Sequence, residues 1–145
     1  VMKKSQQAFK VAQAKATSLS ILMIDVDHFK KINDSLGHSS GDKVLAQVAK
    51  LGESMMRKSD IYGRLGGEEF LVCLPKSNLS AAREIGERLR DNIAKHSWQF
   101  GGLDTVTVSI GVASLDGDID LLTLIKRADE QLYHAKASGR NKVCG

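Results

Sequence analysis

The sequence has few of the residues that mark several protein classes. It contains only two cysteines, Cys73 and Cys144, and a single proline among its 145 residues. The cysteines form neither a CxxC pair nor a Cys/His cluster with metal-ligand spacing, so a disulfide framework and a zinc site have no support. Aromatic residues make up 5% of the chain, which leaves few platforms on which nucleic acid bases could stack.

Long apolar runs are also missing. Stretches such as residues 21–24 are far too short to cross a bilayer, and nothing has the pattern of a secretion signal. We therefore expect a cytoplasmic domain without membrane contact, although a longer protein that contains it could still be membrane-anchored. The net charge of +4 permits an anionic partner such as a nucleotide phosphate, but it does not require a nucleic acid.

The hydrophobic pattern predicts one domain over residues 1–145, in which helices alternate with the strands of a mixed sheet. With 42% hydrophobic residues the chain can bury a single core, and no repeat or linker divides it. The fold class is therefore α+β. Helices are predicted over residues 2–15, 29–36, 44–55, 82–93 and 121–135, and strands over residues 20–27, 61–65, 69–74 and 105–113.

Glycine and polar residues predict where these elements end. The pair Gly66-Gly67 is predicted to form a tight two-residue hairpin turn between two strands. A short polar loop that ends at Asp42 is predicted to join the second and third helices. Ser80 is predicted to cap the helix that follows it.

Four carboxylates are predicted to approach one another at one edge of the sheet. Asp25 and Asp27 end the first strand, and Glu68 and Glu69 follow the two glycines of the hairpin. If the hairpin pairs beside the first strand, these like charges must either raise each other's pKa or share a cation. Mg²⁺ suits such a cluster because it also binds substrate phosphates. Either pair taken alone could equally be solvated acids at a strand end.

Basic residues occur where phosphates would need them. Lys30 and Lys31 begin the second helix, and Lys136, Arg140 and Lys142 lie at or after the end of the last helix. Helix N-termini and basic side chains both attract phosphate. Each of these residues taken singly is equally consistent with a solvated surface charge.

Several motifs occur in the chain with a familiar order and spacing over residues 19–143. They resemble the GGDEF domain of diguanylate cyclases, in the variant that reads GGEEF. In chain order these motifs are Asp25-Val-Asp-His-Phe-Lys-Lys-Ile-Asn-Asp34, Gly37-His38, Gly41-Asp42, Leu45, Arg64-Leu-Gly-Gly-Glu-Glu-Phe70, Ala135-Lys136 and Gly139-Arg140-Asn141.

The resemblance implies a fold and a reaction. The fold would be that of the nucleotide cyclase palm, in which helices flank a central mixed, mainly antiparallel sheet. The reaction would join two GTP molecules into cyclic di-GMP and release two pyrophosphates at the interface of a homodimer, with Mg²⁺ as cofactor and Mn²⁺ able to substitute. The family's usual opening segment does not precede Val1, so we expect an N-terminally truncated domain separated from an upstream sensor or receiver domain.

The resemblance also implies roles for individual residues. Glu69 would be essential, through the metal, the ribose or proton transfer. Asp25, Glu68 and the carbonyl of Val26 would bind the metal. Asn33, Asp42 and Leu45 would bind guanine, and Phe29 would belong to the substrate site. Gly66 and Gly67 would form the surface under the nucleotide, and Lys136 and Arg140 would bind the terminal phosphates, with Lys30 assisting catalysis.

A second site is implied by the segment Arg57-Lys-Ser-Asp60, which lies shortly before Gly66. It is similar to the family's RxxD site, at which cyclic di-GMP inhibits the enzyme. Arg57 could fork onto a guanine edge or a phosphate while Asp60 accepts from the base. The alternative is a charge pair at a helix end.

Two other functions compete with an active cyclase. The chain could be a catalytically silent module that binds GTP or cyclic di-GMP and signals by contact. It could also be a polymerase palm or an RNA-binding domain, which would need a basic stripe or stacking aromatic residues. The sequence shows neither of these features.

Overall fold

Five helices and five strands make up the part of the protein that the computed structural model describes, residues 1–99 and 102–145. The helices are α1 (Met2–Lys15), α2 (Phe29–Leu36), α3 (His38–Glu53), α4 (Leu79–Lys95) and α5 (Leu121–Ala137). The strands are β1 (Leu19–Val26), β2 (Ile61–Gly66), β3 (Glu69–Pro75), β4 (Val108–Ser114) and β5 (Val143–Cys144).

The strands form one sheet in the order β2-β3-β1-β4-β5. β1 lies at the centre and pairs antiparallel with β3 on one side and with β4 on the other. The β2–β3 hairpin extends one edge, and β5 pairs parallel with β4 at the other edge. The mixed, mainly antiparallel sheet flanked by helices is thus confirmed.

Helices cover both faces of β1, and all eight of its residues are buried. Side chains alternate between the faces of a strand. Leu22 and Ile24 therefore belong to the core under α2, α3 and α4, while Ile21 and Met23 belong to the core under α1 and α5. The continuous apolar run in this segment follows from burial on both faces.

A glycine in β4 lets α5 lie close against the sheet. A Cβ atom at Gly111 would lie 2.1 Å from the carbonyl oxygen of Ala128 and 2.2 Å from the backbone nitrogen of Leu132. Only glycine is compatible with this approach. The close packing brings the C-terminal end of α5 to the same end of the sheet as the last residues of β1.

Two predicted boundaries between helices and loops are wrong. The predicted polar loop up to Asp42 does not exist, because α3 begins at His38 and only Gly37, with φ 88°, separates it from α2. Ser80 does not cap α4; the side chain of Asn78 accepts the hydrogen bond from the Ala81 N–H at 2.9 Å.

Differences also occur in the strands. The hairpin turn consists of Gly67 and Glu68 instead of Gly66 and Gly67, because Gly66 still pairs with Glu69. Gly67 has φ 53°, a left-handed conformation that favours glycine at this turn position. β4 begins at Val108, later than predicted, and β5 was not predicted because two residues are too short for a periodic pattern. Within residues 1–99 and 102–145, no helix is both long and apolar enough to cross a membrane.

Candidate functional site

The end of β1 and the tip of the β2–β3 hairpin lie side by side. Asp25 is the register partner of Glu69 in β3, and the N–H of Val26 donates to the carbonyl oxygen of Glu68 at 3.2 Å. Acidic residues more than forty positions apart in the chain are therefore neighbours at the end of the sheet where β1 terminates. The site formed there by Asp25, Glu68 and Glu69 is called the charged edge. The juxtaposition predicted from the sequence is confirmed.

Asp25 is the most deeply placed of these acids, with 5% of its surface exposed. Its Oδ2 atom accepts a hydrogen bond from Nζ of Lys136 at 2.5 Å, an ion pair between the centre of the sheet and the end of α5. Burial raises the pKa of Asp25, and the charges of Glu68 and Asp27 add to this rise, while Lys136 opposes it. Because the net shift is upward, one lysine does not fully compensate the buried carboxylate.

Glu69 is in a similar environment. Burial raises its pKa first, and the negative charges of Asp25 and Asp129 raise it further. Lys136 again acts in the opposite direction. The edge of the sheet thus concentrates negative charge that a bound cation would relieve.

The donor set of Asp25, Glu68 and the Val26 carbonyl fits a hard divalent cation. No cluster of three or more His, Cys, Asp or Glu side chains with metal-binding geometry occurs among the residues described. Mg²⁺ does not need one, since it usually retains several waters and takes one or two protein carboxylates together with substrate phosphates. Two carboxylates and a carbonyl therefore match Mg²⁺ when a nucleotide supplies the remaining oxygens.

Asp27 was grouped with these acids from the sequence, but the structure gives it another environment. Its carboxylate accepts hydrogen bonds from the hydroxyls of Thr107 at 2.7 Å and Ser109 at 2.6 Å, and from the N–H of Asn141 at 3.0 Å. A carboxylate with three donors needs no cation. The charge of Asp27 still raises the pKa of Asp25, but its hydrogen-bonding capacity is taken up by these donors. The roles of Thr107, Ser109 and Asn141 were not predicted from the sequence.

A polar side chain without a partner marks the surface between α2 and α3. The Oδ1 atom of Asn33 is buried and has no hydrogen-bond partner in the described part of the chain. Buried polar atoms are nearly always paired, so this oxygen is a candidate acceptor for a hydrogen bond from a ligand. Asp42 lies exposed on α3, while Leu45 and Phe29 are buried.

Gly41 allows Asn33 to occupy this position. A Cβ atom at residue 41 would lie 1.8 Å from the Asn33 Oδ1 atom and 3.2 Å from the Cζ atom of Phe29. Gly41 falls within the predicted polar loop, whereas in the structure it lies buried inside α3 and faces α2. Its function is to leave room for the asparagine.

The hairpin tip offers an open surface. A Cβ atom at Gly66 or Gly67 would meet nothing within 4 Å. The Nε atom of Arg64 donates to the Gly67 carbonyl at 2.7 Å, which links the strand to its own turn. Sequence reasoning did not give Arg64 a role, because this contact depends on how the turn folds back.

The three basic residues predicted to bind phosphate lie in α2, in α5 and just after α5. Lys136 reaches the site from α5, with 37% of its side chain exposed. Arg140 follows α5 and Lys30 lies in the first turn of α2, and both are exposed. Of the three, only Lys136 is tied to the carboxylates by a contact in this structure.

Arg57 and Asp60 lie away from this edge, before β2. The guanidinium of Arg57 approaches Asp60 Oδ1 to 2.7 Å, and Asp60 Oδ2 also accepts from the Arg57 N–H at 2.8 Å. The pair predicted as the alternative to an inhibitory site is therefore present. Half of the Arg57 side chain is nevertheless exposed, and with Arg64 it lines a groove of about 510 Å³.

Comparison with known proteins shows which family this chain resembles. The family model described as "Diguanylate cyclase, GGDEF domain" matches residues 2–142. The chain is 46% identical over 131 residues to diguanylate cyclase A of Treponema denticola, an alignment that covers 89% of this chain and 35% of the relative. It is 48% identical over 128 residues to diguanylate cyclase DgcM of Escherichia coli K12, with 88% and 31% covered. The chain spans about a third of the length of these curated relatives.

Solved structures show the same fold. The active GGEEF domain of a diguanylate cyclase from Vibrio cholerae superposes with a TM-score of 0.92 at 37% identity, covering 98% of this chain and 91% of that chain. The GGDEF domain of DgcB from Caulobacter crescentus, solved in complex with c-di-GMP, superposes with a TM-score of 0.91 at 29% identity, covering 98% and 83%.

Proposed function

The chain belongs to the GGDEF domain family of diguanylate cyclases, and from this we propose that it condenses two GTP molecules into cyclic di-GMP and releases two pyrophosphates. Enzymes of this family are metal-dependent. The observation that carries the proposal is the juxtaposition of Asp25 with Glu68 in the hairpin turn and Glu69 in β3, beside Lys136. The palm-like sheet brings these groups to one edge.

Each group then has a task that suits its environment. Asp25, Glu68 and the Val26 carbonyl hold Mg²⁺, for which Mn²⁺ can substitute, and the cation when bound supplies charge neutralisation at the α-phosphate. Lys136 and Arg140 bind the terminal phosphates, with Lys30 assisting. Glu69 acts through the metal, the ribose or proton transfer, and its place as the register partner of Asp25 is compatible with each of these roles.

Guanine is recognised between α2 and α3. The unpaired oxygen of Asn33 and the exposed carboxylate of Asp42 can accept from the N–H groups of the guanine Watson–Crick edge, which adenine does not offer in this pattern. Leu45 and Phe29 support this surface from the core. Gly66 and Gly67 leave space for the nucleotide against the hairpin.

Catalysis requires two copies of the domain. One chain offers one nucleotide site, whereas the product contains two nucleotides, so two sites must face each other. We therefore expect the specific activity to rise with protein concentration until the homodimer is saturated. The upstream sensor or receiver domain that would control this step stays a prediction.

The proposal is tested by incubating the purified protein at high concentration with GTP and Mg²⁺. We expect cyclic di-GMP and pyrophosphate in a ratio of one to two, measured by chromatography and a phosphate-release assay. EDTA should abolish both, and Mn²⁺ should restore them. The matched control is Glu68→Gln, which keeps the shape of the turn but removes a ligand charge. GTP binding without any product at saturating protein would instead support the silent binding module.

Arg57→Ala is expected to relieve inhibition by cyclic di-GMP. Arginine forks are strong ligands for guanine edges and phosphates, so we expect the inhibitory concentration to rise by about tenfold or more while the initial rate stays within about twofold. The measurement is the initial rate at increasing cyclic di-GMP. Arg88→Ala, which removes an exposed arginine from α4, is the control. Unchanged inhibition in the Arg57 variant would leave the ion pair with Asp60 as a purely structural feature.

A further inference from the structure

The turn between α5 and β5, residues 138–142, has an uncommon backbone conformation. Arg140 has φ 63° and Asn141 has φ 47°, two successive residues in the left-handed region, and neither is glycine. Residues with a Cβ atom disfavour this region, so such a conformation persists only where surrounding contacts hold it. The turn therefore depends on its partners.

Asp27 provides the first of these contacts. Its Oδ2 atom accepts the backbone N–H of Asn141 at 3.0 Å. The same carboxylate is oriented by the hydroxyls of Thr107 and Ser109, at 2.7 and 2.6 Å. Asp27 is 6% exposed, so its hydrogen bonds are shielded from water and geometrically restricted.

Arg90 in α4 provides the second contact. Its Nη1 atom donates to the side-chain oxygen of Asn141 at 2.7 Å. Arg90 is itself oriented by an ion pair with Glu87 at 2.5 Å. Asn141 is thus held through its backbone from the end of β1 and through its side chain from α4.

We propose that Asp27 is a positioning residue that acts through Asn141 on the neighbouring Arg140. By holding the left-handed turn, its carboxylate sets the direction in which Arg140 approaches the terminal phosphates of the nucleotide. This inference rests on the proposed function, which assigns Arg140 to those phosphates. It also explains why an acid two residues after Asp25 is buried among hydrogen-bond donors.

A double-mutant cycle tests the inference. The variants are Asp27→Ala, Arg140→Ala and the combination of both, and the dissociation constants for GTP and GMP with Mg²⁺ are measured by calorimetry. We expect each single variant to weaken GTP binding by about tenfold and GMP binding by less than about twofold, because GMP lacks the terminal phosphates. The double variant should bind GTP within about twofold of Arg140→Ala, since Asp27 acts through that residue.

Three further variants separate positioning from a general structural effect. Asp27→Asn keeps an oxygen for the Asn141 N–H, and its NH₂ group can donate to the Ser109 hydroxyl, so GTP affinity should return to within about threefold of the original. Thr107→Val removes one hydroxyl and leaves the Asn141 contact, and should change little. Arg90→Ala loosens Asn141 from α4 and should weaken GTP binding in preference to GMP. If Asp27→Ala fails to fold, as judged by thermal unfolding, the Arg90 variant takes its place in the cycle.

The outcomes distinguish the inference from the proposed function. If Arg140→Ala weakens GTP binding but the effects of the two single variants multiply, the inference is overturned and the role of Arg140 stands. Equal weakening of GTP and GMP by Asp27→Ala overturns it in the same way. Unchanged GTP affinity in Arg140→Ala overturns the inference together with the assignment of Arg140 to the phosphates.

Discussion

Replacing Asp25 by asparagine is expected to slow cyclic di-GMP formation by about a thousandfold or more, because a cation at this position contributes several kcal/mol to the transition state. The substitution keeps the size of the side chain and removes the charge that holds the cation. Asp25 is the most deeply buried of the acids at the charged edge, so no neighbouring carboxylate can take over its position. The measurement is the single-turnover rate at saturating GTP and Mg²⁺.

The same substitution should stabilise the metal-free protein at neutral pH. Burial raises the pKa of Asp25 above its usual value of 3.8, despite the ion pair with Lys136. A raised pKa means that protonation of Asp25 stabilises the folded state of the original protein. This contribution of protonation is complete below pH 3.8 and is lost as the pH rises through the folded-state pKa. Asparagine has no charge to desolvate, and the partly exposed Lys136 can still be hydrated.

Thermal unfolding in EDTA between about pH 4 and pH 7 measures this effect. We expect the difference in Tm between Asp25→Asn and the original protein to grow in favour of the variant as the pH rises. Asp104→Asn makes the same chemical change at an exposed position and should alter neither rate nor Tm. A turnover within tenfold of the original in Asp25→Asn would contradict the metal-binding role.

Gly41→Ala is expected to weaken GTP binding by about tenfold to a hundredfold, because a buried hydrogen-bonding group is displaced from its ligand. The new Cβ atom would lie 1.8 Å from the Asn33 oxygen, so that side chain must move. The loss of affinity should be specific to nucleotides that carry guanine. We expect binding of ATP, which is weak from the start, to change much less, and competition binding with both nucleotides measures the ratio.

Gly86→Ala is the matched control for this variant. Gly86 is also buried inside a helix, but a Cβ atom there would lie 3.4 Å from the nearest atom, a side-chain carbon of Val143. Alanine favours a helix over glycine, so Gly86→Ala should preserve GTP affinity and not reduce stability. If both glycine variants lose GTP affinity equally, or if Gly41→Ala keeps it, Asn33 does not recognise the base.

Local sequence patterns were sufficient for most of the fold. The apolar run of β1 and the 3.6-residue spacing in α5 depend on which residues are buried, and burial is encoded residue by residue. The neighbourhood of Asp25 and Glu68 could also be predicted, because a hairpin beside the first strand brings a strand end and a turn together. Lys136 and Arg140 were assigned through family resemblance, since their distance from Asp25 in the chain exceeds any local pattern.

Tertiary structure alone decided the remaining features. The sequence by itself determined that acids and glycines would gather at one edge of a mixed sheet, since strand ends and turns are local properties. It could not show that the carboxylate of Asp27 is satisfied by hydrogen bonds, because the donors from Thr107, Ser109 and Asn141 lie 80 or more positions along the chain. Nor could it show that Gly41 makes room for Asn33, because the clash depends on how closely two helices approach. Such contacts exist only once the chain has folded.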